Sequence, residues 1–175
     1  LVQYIFARDE QAVYVNQFIS SAADTEVGAC RMKIKMDSTL LQDGKVRIEV
    51  QASGSGILKI RIPAYSENCS CVQNGISIQV QPEKGYQQLA ISSGDTVIAL
   101  DFHVKPKWMG AKDQVRADAG KAALMKGPLV YCLEEKENGR LLSEIFIEEN
   151  TSVEEMAPAE GMVGNVPTLS YKGIR

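Results

Sequence analysis

Apolar and polar residues alternate with a period of two in short blocks along most of this chain, and turn residues separate the blocks. That period puts successive side chains on opposite faces of an extended backbone, so each block predicts a strand with one buried and one wet face. Residues 13–19 (VYVNQFI) open the series. In 32–36 (MKIKM) the lysines are set for water and the apolar residues for a core, and 46–50 (VRIEV) alternates without a break. Asp43-Gly44 ahead of that block is a strong tight-turn dipeptide. Residues 58–62 (LKIRI) follow the Gly54-Ser55-Gly56 connection, and Pro63 ends the block because it has no amide hydrogen to give a ladder.

Asn74-Gly75, another tight-turn signal, introduces 76–80 (ISIQV), a short 89–91 (LAI) follows, and Gly94-Asp95 leads into 96–104 (TVIALDFHV). In that last block Thr96, Ile98, Leu100, Phe102 and Val104 share one face, with Val97, Ala99, Asp101 and His103 on the other. Short strands at this spacing predict an all-β, antiparallel, jelly-roll-like β-sandwich. Residues 105–110 (KPKWMG) read as its exit, and 111–121 are small and polar. A second β unit then runs through 122–125 (AALM), 127–135 (GPLVYCLEE) and 143–147 (SEIFI), and loosens from Ala157 onward. The expected division is 1–111 for the first sandwich and 112–175 for a second, smaller and incomplete one, marginal alone at that size. No segment sustains a helical repeat; 118–125 is the best candidate and is too short.

Composition narrows the function classes. With 45% hydrophobic residues the 175-residue chain can build a core. Lys and Arg number 19 against 22 Asp and Glu, for a net charge of −3. Without a concentrated basic face, nucleic acid is not an expected partner. No run reaches the roughly 18 apolar residues of a membrane span, and residues 1–20 lack the pattern of a signal peptide. Because the chain opens on Leu1 in mid-pattern, it reads as a fragment or excised domain, and its localisation, periplasmic or cytoplasmic, stays open.

Each residue with chemical potential has a plainer reading. Cys132, in GPLVYCLEE, is the obvious nucleophile candidate, but its sequence neighbours Glu134 and Glu135 would raise a thiol pKa rather than lower it. On a strand it shares a face with Val130 and Glu134, and it is expected as a small buried hydrophobe. Cys69-Ser70-Cys71 is the one close cysteine spacing; a tetrahedral metal site there needs further ligands, and the single histidine, His103, is distant in sequence. His103 and Asp101 stand about 7 Å apart on an extended strand, too far for a dyad without a bend. The pairs Glu134-Glu135, Glu148-Glu149 and Glu154-Glu155 point to opposite faces if extended, so neither member can serve the other as acid and base. Trp108, with Tyr65, Tyr86 and Tyr131, could stack on a sugar ring, or Trp108 could plug an interdomain contact. Asn68-Cys69-Ser70 and Asn150-Thr151-Ser152 match glycosylation sequons, which carry meaning only in a eukaryotic secretory context.

Taken together, VYVNQFI (13–19), DGKVRIEV (43–50), LKIRIPAY (58–65), VQNG (72–75), GYQQLAI (85–91), GDTVIALDF (94–102) and VRADAGKAALMKGPLVYCLEEKENG (115–139) resemble the C-terminal part of glycoside hydrolase family 127, the β-L-arabinofuranosidase family. The last block is the most specific. The resemblance implies a bacterial parent with an (α/α)6 catalytic barrel followed by two β-sandwich domains. It also implies retaining hydrolysis by a zinc-bound cysteine nucleophile and a glutamate acid/base, all within the barrel. On that comparison the family's double-cysteine motif lies just ahead of Leu1, and relatives continue past Tyr171 with a Trp-containing segment. No catalytic, cofactor-binding or metal residue therefore transfers to this chain. It is expected to be inactive by itself and to have the parent's barrel as its partner, with the second unit serving in homodimer contacts. The competing expectation is an independent carbohydrate-binding module using Trp108.

Overall fold

The computed structural model describes residues 4–112, 114–148, 151–158 and 163–174. Its backbone contacts divide it into two compact units, Leu1–Val104 and Lys105–Arg175.

In the first unit, strands β1 (Phe6–Arg8) and β2 (Val13–Val15) open one sheet, and β3 (Ser21–Val27), β4 (Cys30–Thr39) and β5 (Lys45–Ala52) build a second. A single helical turn, α1 (Leu40–Asp43), joins β4 to β5. The chain returns to the first sheet with β6 (Gly56–Arg61), crosses again for β7 (Ser70–Gln73) and β8 (Ile76–Ile78), and alternates once more with β9 (Tyr86–Ile91) and β10 (Gly94–Asp101). The sheets are ordered β1-β2-β6-β9 and β3-β4-β5-β10-β7-β8. Inward residues of both enter one core: Met32, Ile34, Met36, Val46, Ile48, Val50, Ile98 and Leu100 from the six-stranded sheet, and Val13, Val15, Leu58, Ile60, Leu89 and Ile91 from the four-stranded one. None is more than 3% exposed. Each such side chain contributes about 1.5–3 kcal/mol on leaving water, so the period-2 pattern and the β-sandwich have one cause.

The structure departs from a wholly antiparallel reading in one place. β2 runs parallel to β6, with Val13 opposite Leu58 and Val15 opposite Ile60. A parallel pair needs a crossover rather than a hairpin, and β3, β4 and β5 in the opposite sheet supply it. The strand expected over 13–19 stops at Val15; Phe18 turns into the core, while Ile19 is exposed. The strand expected over 96–104 stops at Asp101, because His103 adopts a left-handed φ of 47° that breaks the ladder. Gly44, at φ 82° after α1, is needed where it stands: a Cβ there would lie 3.0 Å from Val104 Cγ2, and left-handed backbone favours glycine.

In the second unit, β11 (Pro106–Gly110), β12 (Ala122–Lys126) and β13 (Leu129–Tyr131) form an antiparallel sheet, and β14 (Val153–Met156) pairs with β15 (Thr168–Tyr171). A short helix, α2 (Glu135–Asn138), follows β13. Residues 105–110 were expected to leave the first sandwich; they pair along β12 from Pro106↔Lys126 to Gly110↔Ala122 and so belong to the second unit. Residues 118–125 divide between a 3-10 turn, Arg116–Asp118, and strand β12. Residues 143–147 form no strand: Leu142–Glu144 is a 3-10 turn, and Phe146 makes an isolated bridge with Ile174.

Candidate functional site

Trp108 sits on β11, with its ring half-buried inside the second unit. Its indole N–H donates to the Thr151 carbonyl at 3.0 Å, and Tyr171 meets it edge to face with centroids 4.9 Å apart. Its one polar handle is thus already spent within the unit. The tyrosines considered with it are also engaged: Tyr131 Oη donates to the Pro167 carbonyl, Tyr86 Oη to Asn16 Oδ1, and Tyr65 packs against the core of the first unit. Tyr65 and Tyr86 belong to that first unit, Trp108 and Tyr131 to the second.

The expectation that Cys132 is buried is overturned: its side chain is exposed. Alternation grouped it correctly with Val130, itself 65% exposed, but that is the outer face of the sheet. The buried face is the opposite one, where Tyr131 stands across from Leu124 and Leu124 and Lys126 are buried. A thin sheet with one covered face leaves its other face wet, and the period alone does not say which is which. Cys71 is buried and Cys69 half-buried. Burial pushes the Cys69 thiol up to about 12, with smaller contributions from Cys71 and Asp101, and burial raises Cys71 as well. Thiols held protonated are poor nucleophiles and poor metal ligands.

His103 and Asp101 do meet, contrary to the distance expected for a straight strand. The left-handed turn at His103 brings its Nδ1 to 3.4 Å from Asp101 Oδ1, and the same oxygen accepts the His103 backbone N–H at 2.8 Å. The carboxylate thus caps the end of β10. Among the carboxylate pairs, Glu155 turns to Lys126 while Glu154 faces water, and Glu149 and Asn150 lie outside the described residues. Among the described residues, no three of His, Cys, Asp and Glu gather as a metal would require.

The loop between β1 and β2 carries a well-formed polar network. Asp9 accepts Tyr14 Oη–H at 2.6 Å and the backbone N–H groups of Gln11 and Ala12, while Lys59 Nζ donates to Tyr14 Oη. The Tyr14 hydroxyl first, then the two amides, hold the Asp9 carboxyl down from 3.8 to about 2. A depressed carboxyl contributes stability that is complete above its unfolded value and lost as pH falls through its folded one. Thermal unfolding followed from pH 4 down to pH 2 should therefore show wild type losing an advantage over Asp9→Asn that is full at pH 5; a constant difference across that window would refute the role.

The open concavities are elsewhere. Two depressions, of about 800 and about 600 Å3, lie on the outer face of the six-stranded sheet. Lys35, Glu49, Gln51 and Asp95 line the first, and Asp37, Arg47, Ala99 and Asp101 line the second. From sequence these positions read only as the wet side of alternating strands; that they adjoin depends on strand order, which alternation does not reveal.

Residues 12–104 match the family profile described as beta-L-arabinofuranosidase, GH127 middle domain, and residues 106–171 match the glycoside hydrolase family 127 C-terminal domain. The non-reducing end beta-L-arabinofuranosidase of Bifidobacterium longum subsp. longum is 29% identical over 184 aligned residues, covering 99% of this chain and 28% of its own length. A GH127 beta-L-arabinofuranosidase from Geobacillus stearothermophilus T6 superposes with a TM-score of 0.86 at 28% identity, over 97% of this chain and 27% of that one. Another GH127 beta-arabinofuranosidase gives 0.88 at 20% identity, over 97% and 30% of the two chains, a likeness of fold. The chain thus spans about 28% of the length of the curated relative it matches.

Proposed function

The chain belongs to glycoside hydrolase family 127, and from that membership we propose that it is the family's non-catalytic double-sandwich region, whose work is to support a catalytic barrel. One observation carries the reading: the matched middle and C-terminal domains, residues 12–104 and 106–171, coincide with the two compact units that divide after Val104. Arabinofuranoside hydrolysis is proposed for the whole protein, and no step of it is assigned to residues described here. The alternative of an independent carbohydrate-binding module resting on Trp108 is less favoured, since that indole is tied to Thr151 and Tyr171.

The test is direct. The 175-residue chain, incubated with an aryl β-L-arabinofuranoside with and without added zinc, should release no aglycone above a no-protein control. Turnover that disappears in Cys132→Ser would overturn the non-catalytic reading, since a working thiol would then reside in this chain.

A further inference from the structure

We propose that Asn74 is a site of spontaneous covalent modification, an intramolecular deamidation that the fold promotes there and suppresses at Asn138. The chain holds two Asn-Gly dipeptides, Asn74-Gly75 and Asn138-Gly139. Glycine after asparagine leaves its amide nitrogen open to attack the side-chain carboxamide, because no Cβ screens it. Sequence alone therefore ranks the two sites alike, and their hydrogen bonds separate them.

Asn74 and Gly75 form the two-residue turn between β7 and β8, with φ of 50° and 81° and the pair Gln73↔Ile76 closing the ladder. Both residues are exposed, and a Cβ built on Gly75 would have nothing within 4 Å. Among the described residues no acceptor takes the Gly75 N–H, and none takes the N–H groups of the Asn74 carboxamide. The carboxamide oxygen is engaged: the Val97 N–H of β10 donates to Asn74 Oδ1 at 2.8 Å, and the Asn74 backbone N–H donates to the Val97 carbonyl at 2.8 Å. Nucleophile and leaving group are thus free, and a backbone donor stands where the oxyanion of the tetrahedral intermediate develops. A hydrogen bond strengthens as its acceptor takes up charge, so this contact favours the transition state over the ground state.

At Asn138 the corresponding groups are tied. The Gly139 N–H donates to the Glu135 carbonyl at 2.8 Å at the end of α2, and Asn138 Nδ2 donates to the Glu134 carbonyl at 3.1 Å. Attack there would cost both bonds.

The reaction balances within the chain and water. The Gly75 nitrogen bonds to Asn74 Cγ, the Cγ–Nδ2 bond breaks, and the Gly75 amide proton leaves with the departing ammonia. One water then opens the succinimide. Opening at the side-chain carbonyl gives aspartate, which keeps an acceptor for the Val97 N–H. Opening at the main-chain carbonyl gives isoaspartate, which adds a carbon to the backbone of a two-residue turn whose length sets the register. Isoaspartate therefore disturbs the Gln73↔Ile76 pair and loosens β8, the edge strand of its sheet.

The chain is to be held at mildly alkaline pH, folded and in urea, while mass spectrometry follows amide-to-acid conversion in tryptic peptides 62–84 and 137–140, with the site read from fragment ions. In urea the two sites should react at similar rates, since the dipeptides are the same. In the folded chain Asn74 should react at least about tenfold faster than Asn138, the ratio that a hydrogen bond gained at one site and bonds lost at the other would give. Carboxyl methylation by an isoaspartyl methyltransferase should label peptide 62–84 of the aged protein. Hydrogen exchange over residues 70–78 should quicken in the isoaspartyl fraction and stay as in wild type in Asn74→Asp, which represents the other product. Equal rates in the folded chain, a faster Asn138, or a preference for Asn74 that persists in urea would each overturn the proposal. Exchange that isoaspartate leaves unaltered would overturn the loosening of β8.

Discussion

Phe102→Ala should destabilise the first unit by about 3–5 kcal/mol, the cost of truncating a fully buried phenylalanine. Phe102 has no exposed surface, and its ring packs on Phe18 with centroids 4.6 Å apart and planes tilted by 49°. Its backbone adds to its importance: the N–H donates to the Gly44 carbonyl, and the carbonyl accepts Ser66 Oγ–H, both at 2.9 Å. The substitution leaves these two bonds available, so the measured loss isolates the ring and the cavity it would leave. Urea unfolding followed by far-ultraviolet circular dichroism reports chiefly on the larger unit. The fluorescence of Trp108, the chain's single tryptophan, reports on the second unit. A loss below about 1 kcal/mol in the dichroism transition would mean that the core closes over the gap, contrary to close packing.

The second large effect belongs to the ion pair of Lys126 with Glu155. Lys126 Nζ lies 2.5 Å from Glu155 Oε2, with the lysine side chain 3% exposed and the glutamate 40%. Among the described apolar residues of this unit, Leu124 is the one that reaches full burial, so the pair carries unusual weight in joining β12 to β14. Glu155→Ala removes the carboxylate that a buried ammonium faces and should cost about 1.5–3 kcal/mol, moderate because water reaches the carboxylate side. Lys126→Met removes the charge along with its partner's duty and fills similar space, so it should cost less. Trp108 fluorescence during urea unfolding measures both. Equal losses in the two variants would mean that the contact acts through packing alone.

These two sites differ in how far the sequence announced them. Phe102 stood on the apolar face of a visibly alternating block, and its burial followed from the period. Lys126 did not: a lysine on an alternating strand is read as wet, whereas here it is buried and its ammonium meets Glu155 of β14. Similar reasons separate the strands that were legible from those that were not. β4, β5 and β10 alternate large apolar with polar or small residues, a contrast that survives without any knowledge of neighbours. β3, SAADTEV, turns small or polar residues such as Ala23 and Thr25 inward, and β14, VEEM, shows little burial at all, so neither carries a contrast to read. The loss of strand structure after Asp101 was equally hidden, since nothing in TVIALDFHV signals a left-handed histidine. That bend makes the Asp101–His103 contact.

The period-2 contrast, set by the opposite directions of successive side chains, determined a two-sheet sandwich with its principal core, and the most specific block, around GPLVYCLEE, determined the family resemblance. Tertiary structure decided the rest: that β2 and β6 run parallel, that 105–110 joins the second unit, that Cys132 faces outward, and that Trp108 is tied down. It also decided that the charged residues of β4 and β5 lie beside β10 on the outer face of one sheet. The physical reason is common to all of these. Alternation assigns residues to two faces of a strand, but which face is covered and which strand lies alongside depend on backbone hydrogen bonds that any residue except proline can make, and so on the packing of the whole.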